Sequence, residues 1–272
     1  DGYDNLYTKA IQAGVDKIVV AIREKRGAFP LEELLQCRVE GMEIIQGDTF
    51  YEMLTGKVIV SSTNPTWFIF SEGFKKTWLK MSLKRIEDVV SSLGLLVVLA
   101  PIILVTALVI KLDSKGPLIY AQERLGKRKR PYKVYKFRSM RTDAEKNTGP
   151  VWASKDDDRV TRVGHFIRKW RIDEIPQLWN VLRGDMSLVG PRPEREFFIN
   201  KLEEQIPYYS ERFSVKPGLT GWAQVCYGYG DSIEDAIEKL NYDLFYIKNI
   251  SIFMDIVIIF RTVKTVIFGV GR

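Results

Sequence analysis

The sequence predicts an α/β protein in two parts. A partial, Rossmann-like α/β domain comes first, followed by a membrane-associated mixed α/β domain with a re-entrant membrane helix. Three observations carry this expectation. Short apolar strands alternate with helical patterns up to about residue 64, the 22 residues from Val89 to Ile110 hold no charge, and mixed strand and helix patterns with strong turns fill the remainder of the 272 residues. The expected divisions are 1–75, 76–112 and 113–272. A hydrophobic fraction of 46% is ordinary for a globular chain, so most of it is not membrane span. The sequence begins at Asp1 rather than Met, and we expect further residues upstream. The first eighty residues show no basic start followed by an apolar run, the pattern of a signal peptide.

In the first part, Asp16–Ile22 reads as a strand, and Pro30 opens a helix that Gly41 stops. Met42–Gln46 is a second strand, Asp48 caps a second helix, and Val58–Val60 is a third strand candidate. These are pieces of a doubly wound sheet, but no Gly-rich phosphate loop accompanies them. A scaffold or partner surface is therefore expected here, and self-association is one use for it.

Next comes an aromatic stretch, Trp67–Phe70 with Phe74 and Trp78, followed by Lys75, Lys76, Lys80 and Lys84. A membrane interface selects aromatic and basic residues in this combination, although a buried linker would also accept them. The uncharged run is long enough to cross a bilayer. Pro101 removes a backbone hydrogen bond at its middle, favouring a bend, and Ser91, Ser92 and Thr106 can partly satisfy the freed groups. Lys and Arg crowd both ends, whereas a spanning helix concentrates them on its cytoplasmic side. A helix that enters, turns at Pro101 and leaves by the same face meets all these conditions. A simple crossing and a buried soluble helix are the alternatives. At the other end of the chain, Ile252, Ile256, Ile259, Val263, Val266 and Ile267 share one helical face, with Asp255 opposite. That helix suits the headgroup layer and core packing equally.

Composition narrows the chemistry. Cys37 and Cys226 lie far apart and His165 is the single histidine, which excludes a Cys/His zinc site and argues against a histidine-based triad. Carboxylates, lysines and arginines must carry any reaction. The net charge of +7 is concentrated: residues 111–141 hold eleven Lys or Arg against Asp113 and Glu123. One basic segment beside an apolar run points to an anionic membrane surface or phosphate-bearing substrates rather than to nucleic acid.

The densest constellation runs from Arg168 to Pro193. Asp173 and Glu174 precede Pro176 and a short helix ended by Gly184. Helix capping would explain two acids there. Their company suggests more: Arg168 and Arg171 lie just before them, and Arg192 is held between Pro191 and Pro193. Arginines of restricted geometry beside a helix N-terminus make a phosphate site. A carboxylate placed there can attack phosphorus, with Mg2+ offsetting the repulsion. Alternation over Lys133–Met140 predicts a strand with Lys136 and Arg138 on one face, and Lys216–Trp222 is a glycine-containing turn open to close approach. Asp156, Asp157 and Asp158 read as an exposed loop with cation-binding as the alternative, and His165 reads as structural.

Read together, these motifs resemble the bacterial polyprenyl-phosphate sugar-phosphate transferases, the monotopic phosphoglycosyl transferases. The likeness covers roughly residues 80–272 and rests on blocks in the family's order: YAQERLGK at 120–127, YKFRSM at 135–140, DEIPQLWNVLRGDMSLVGPRP at 173–193, KPGLTGWAQV at 216–225 and NYDLFYIKN at 241–249. It is greatest to the exopolysaccharide-initiating branch, in which a region like residues 1–75 follows several transmembrane helices. The resemblance implies that Asp173 attacks the β-phosphorus of a UDP-sugar, releasing UMP, and that polyprenyl (undecaprenyl) phosphate then takes the sugar phosphate. It implies Mg2+ at Asp173 and Glu174, Glu174 as partner acid, Arg192 on phosphate, further roles for Lys136, Arg168 and Asp243, and a catalytic domain on the cytoplasmic face of the inner membrane. The family often has Ser before the membrane-helix proline, where this chain has Ala100. The rival readings are a catalytically inert, membrane-anchored scaffold of polysaccharide assembly and a nucleotide-sugar modifier built on residues 1–64.

Overall fold

A computed structural model describes residues 5–22, 29–60, 73–142, 144, 158–228, 230 and 232–268. The chain divides into two compact units, 1–59 and 60–272.

In the first unit, α1 (Leu6–Ala13), β1 (Lys17–Val20), α2 (Leu31–Val39), β2 (Glu43–Gln46) and α3 (Gly47–Thr55) follow one another. The two strands pair in parallel, from Lys17 opposite Glu43 to Val20 opposite Gln46. Ala10, Cys37 and Met42 form the core, with Tyr7, Ile18 and Ile44 against them. The parallel pair joined by a helix is the expected β–α–β arrangement. Two details differ from expectation. Asp48 lies in the first turn of α3, with Gln46 in the cap position. Val58 to Val60 is not a strand: Val60 opens the second unit, where its N–H donates to the Asn241 side chain at 3.0 Å and so is unavailable to a ladder.

The second unit opens with α4 (Trp78–Asp113), 36 residues carrying Pro101 in the interior and begun by Thr77, whose hydroxyl accepts from the Lys80 N–H. By length and composition α4 is able to cross a membrane. Its middle is bare, with Val97, Val98 and Leu104 more than 70% exposed, and apolar surface of this extent calls for a lipid or protein partner. Both ends of α4, by contrast, are anchored on the same unit. Near its start, Lys84 pairs with Asp255 at 2.5 Å, while Asp88 accepts from Ser187 and Leu188. Near its end, buried Ile110 packs with Phe137 and Ile167, flanked by Ile103, Leu118, Val163, Ile172 and Ile175.

After α4 come the antiparallel pair β3 (Ile119–Leu125) and β4 (Pro131–Phe137), then α5 (Arg162–Lys169) and α6 (Gln177–Arg183). A fully buried strand, β5 (Ser187–Val189), pairs in parallel with β6 (Gly218–Thr220), with α7 (Glu196–Gln205) between them in the chain. The chain ends with α8 (Trp222–Cys226), α9 (Ile233–Lys248) and α10 (Ile252–Phe268). Beside the β5/β6 pair the backbones nearly touch: Gly190 N–H donates to the Thr220 carbonyl and Gly218 N–H to the Pro191 carbonyl, each at 2.9 Å. A Cβ on Gly218 would lie 2.1 Å from the Gly190 nitrogen, so neither position admits a side chain.

The α10 helix turns the opposite face inward from the one its apolar stripe suggests for core packing. Asp255 and Ile258 are fully buried, whereas Ile256 and Val263 are about half exposed. The reason is ionic: Asp255 accepts from Lys84 and from the Tyr246 hydroxyl, and a buried carboxylate requires such partners. Burial pushes the Asp255 carboxyl up, and Lys84 and Tyr246 oppose that shift.

Removing one member of this pair leaves the other buried without a counter-charge, which destabilises by about 3–5 kcal/mol. Lys84→Met is expected to lower the melting temperature in detergent micelles, and Lys84→Met combined with Asp255→Leu to recover part of the loss. Equal melting temperatures for wild type and Lys84→Met would contradict the assignment.

Candidate active site

The site is built where β4, the turn before α6 and the loop after β5 converge. Ile172–Glu174 forms a single tight turn, entered through Arg171 in a left-handed conformation (φ 53°). Pro176 then starts α6, and Gly184 (φ 91°) ends it. Neither acid caps α6, since Pro176 occupies the cap position with no side-chain hydrogen bond. The capping role that would explain both acids is therefore not the one they take. Ile172 and Ile175, on either side of the pair, press onto the Ile110 cluster at the end of α4. Apolar anchoring on both sides holds two buried carboxylates in one place.

Glu174 is the electrostatic centre. Its Oε1 accepts from Lys136 at 2.9 Å and from Arg192 at 3.1 Å, and its Oε2 lies 3.6 Å from Arg171. Burial alone would raise this carboxyl, but Lys136, Arg192 and Arg171 outweigh burial and hold it far below the usual carboxylate range. Asp173 goes the other way. Burial, then the neighbouring Glu174 charge, push it up, with Lys136, Arg168 and Arg192 offsetting part of the shift. Two adjacent carboxylates driven apart in this way differ in role: one is a fixed anion and the other is more basic. Asp173 is 7% exposed, and among the described residues no hydrogen bond reaches its carboxylate.

Supporting contacts set these side chains. Asn180, fully buried on α6, accepts from the Tyr135 N–H at 3.0 Å and donates to the Lys133 carbonyl at 2.7 Å, locking β4 and its Lys136 against α6. Arg124 donates to the Pro193 carbonyl and pairs with Glu194. Arg212 donates to the Arg192 carbonyl and to Asp243, each at 3.0 Å. Asp243 thus reaches the site at second hand, through Arg212 and the Arg192 backbone. Burial raises its carboxyl to about 6 despite the Arg212 pairing.

Of the residues singled out in the sequence, the structure brings together Asp173, Glu174, Lys136, Arg168 and Arg192. Arg168 donates to the Ser139 hydroxyl at 3.0 Å, and its charge acts on Asp173. Arg138 is not in this group. The β4 strand ends at Phe137, so the alternation that paired Arg138 with Lys136 stops there. Its guanidinium is buried against the Ser114 and Lys115 carbonyls at the end of α4. Asn180 and Arg212 were missed. A polar Asn within the apolar face of QLWNVL was the available signal for the first, whereas Arg212 gave none, its partners being remote in sequence. Asp156 and Asp157 lie outside the described residues.

Among the described residues no group of three His, Cys, Asp or Glu side chains could enclose a metal. Mg2+ is commonly held by one or two carboxylates together with substrate phosphates. The uncapped Asp173 fits that donor set. Glu174 fits it less well, because its oxygens already face Lys136, Arg192 and Arg171.

Comparison with known proteins places the chain in a family. Residues 79–269 match the bacterial sugar transferase family. The chain is 38% identical over 257 residues to the UDP-N-acetylgalactosamine-undecaprenyl-phosphate N-acetylgalactosaminephosphotransferase of Aeromonas hydrophila, covering 94% of this chain and 60% of that one. It is 44% identical over 187 residues to the UDP-glucose:undecaprenyl-phosphate glucose-1-phosphate transferase of Klebsiella pneumoniae, covering 68% and 40%. It is 46% identical over 190 residues to the exopolysaccharide production protein PSS of Rhizobium leguminosarum bv. phaseoli, covering 68% of this chain and 95% of that protein. The chain thus spans 60% or less of the first two relatives. With the match covering most of its length, the chain belongs to the bacterial sugar transferase family.

Proposed function

We propose that the protein transfers a sugar 1-phosphate from a UDP-sugar to undecaprenyl phosphate through a phospho-aspartyl intermediate on Asp173. The observation that carries this reading is a buried Asp173 carboxylate, without a hydrogen bond among the described residues, beside Glu174, on which Lys136, Arg192 and Arg171 converge. An Asp oxygen attacks the β-phosphorus, the bond from that phosphorus to the bridging oxygen breaks, and UMP leaves with the bridging oxygen. An oxygen of the lipid phosphate then attacks the same phosphorus. The acyl-phosphate bond breaks, Asp173 is regenerated as a carboxylate, and a diphosphate-linked sugar departs. Raised basicity favours Asp173 as the nucleophile. Lys136, Arg168 and Arg192 neutralise phosphate oxygens in a partly desolvated site, where such interactions count most. Asp173 is the residue that would hold Mg2+, which when bound would supply neutralisation of phosphate charge.

The membrane arrangement belongs to the same proposal: α4 enters and leaves by the cytoplasmic face of the inner membrane. The support is that both its ends seat on one unit, while the segment between them is bare. The exposed apolar face of α10, with Phe253, Ile256, Phe260 and Val263, supports contact with the headgroup layer. This puts the site at the level of a lipid phosphate while a water-soluble nucleotide sugar approaches from the other side.

Three outcomes test the proposal. Asp173→Asn is expected to cut UMP release by on the order of 10³-fold or more and to leave no phosphorylated peptide. Lipid product at the wild-type rate from that variant would reject the nucleophile. Glu174→Gln is expected to lower kcat by roughly 10²-fold, because Lys136 and Arg192 lose their common anchor, and a rate within twofold of wild type would contradict that role. In sealed vesicles, cysteines introduced at Lys80 and Lys115 in a Cys37/Cys226-free background are expected to react with an impermeant label from one side. Reaction from opposite sides would mean that α4 crosses the bilayer.

A further inference from the structure

Three side chains on one stretch of α4 reach three points of the polypeptide that frames the site. Arg85 donates through both terminal nitrogens to the Val181 and Leu182 carbonyls, each at 2.6 Å, closing the C-terminal end of α6. Asp88, 3% exposed, accepts from the Ser187 hydroxyl at 2.9 Å and the Leu188 N–H at 2.8 Å, where β5 begins. Lys84 pairs with Asp255, which accepts from the Tyr246 hydroxyl at 2.8 Å, and the same hydroxyl lies 3.1 Å from the Val189 carbonyl at the last residue of β5, its one hydrogen shared between the two acceptors. The other end of α6 adjoins Asp173 and Glu174, and β5 leads through Gly190 and Pro191 into Arg192. The ring closes where Arg192 meets Glu174 at 3.1 Å.

From this closed circuit we infer that Arg85 and Asp88 are positioning residues. Through them the stem of the membrane helix sets the distance between the acidic pair and Arg192. Neither touches the reacting atoms; each acts through backbone it holds, Arg85 through α6 and Asp88 through β5. Exposed ion pairs contribute little. These contacts differ in kind, because charged groups satisfy the Leu182 carbonyl and the Leu188 amide at two element ends and reinforce a Val181 carbonyl that also accepts from the Gly184 N–H. A displacement of α4 in the bilayer is thereby passed to the Glu174–Arg192 contact, and a misplacement of about 1 Å at such a site is enough to slow transfer markedly. The inference rests on the transferase reading for its kinetic arm, and a second measurement keeps the two separable.

The kinetic arm is a double-mutant cycle on the full chain in detergent micelles, reading UMP release. Arg85→Ala is expected to lower kcat about tenfold, and to add little when Arg192 is already Ala, since residues acting as one unit are non-additive. Full activity of Arg85→Ala, or effects that multiply, would overturn the inference. Because Arg85→Ala also removes a contact that holds the stem, Asp88 gives a second series: Asp88→Asn keeps an oxygen acceptor and is expected to retain activity within about threefold, whereas Asp88→Ala loses about tenfold. Equal losses in both would count against positioning. The arm that needs no turnover is amide hydrogen exchange. Asp88→Ala is expected to accelerate exchange at Leu188–Gly190 and Asp88→Asn to leave it unchanged, and unchanged exchange in both would sink the idea even if the transferase reading stands. Conversely, absence of UMP release from wild type with the exchange result intact would fault the transferase reading alone.

Discussion

One carboxylate, Glu174, faces three cations, and the site depends on that imbalance. Lys136 comes from a strand, Arg171 from the turn before the acidic pair, and Arg192 from a loop after β5. Without a common anion these like charges would repel one another where β4, the turn and the loop meet. With Glu174 fixed as an anion, positive charge is still in excess. That excess offsets part of the upward shift that burial gives the Asp173 carboxyl, and it makes the site attractive to anions. A protein that neutralised the cluster fully would have built a stable core and an unreactive one.

Around this centre lies a layer of buried polar groups whose work is to hold backbone. Asn180 ties β4 to α6, Arg212 and Asp243 hold the carbonyl of Arg192, and Arg124 holds that of Pro193. Asn180, Arg212 and Asp243 are buried and Arg124 is partly so, and such polar groups are expensive to leave unsatisfied and therefore directional once satisfied. Hydrophobic packing contributes differently: Ile172 and Ile175 fix the depth of the acidic pair against the end of α4, without specifying its orientation.

Local patterns were legible in the sequence where a single stretch of chain decides the outcome. The parallel β1/β2 pair, the long apolar helix and the convergence of Asp173, Glu174 and Arg192 all follow from periodicity, charge-free length and motif density. What failed depends on partners remote in the chain. Arg138 reads as a companion of Lys136 by alternation, yet β4 ends one residue earlier and the α4 terminus claims the guanidinium. The apolar stripe of α10 is real, but a Lys84–Asp255 bond formed across 171 residues turns the helix over. Asp243 reads as a site residue, and it acts through an arginine that no local signal marked.

The near-contact of Gly190 with Gly218 has a thermodynamic consequence. Backbone hydrogen bonds join the two strands of chain and leave no room for a Cβ, so the segment leading into Arg192 has few conformations to lose. The backbone that carries Arg192 is thus ordered by folding itself, and its guanidinium meets Glu174 at 3.1 Å. A ligand that engages Arg192 is thereby relieved of the cost of ordering the backbone that carries it.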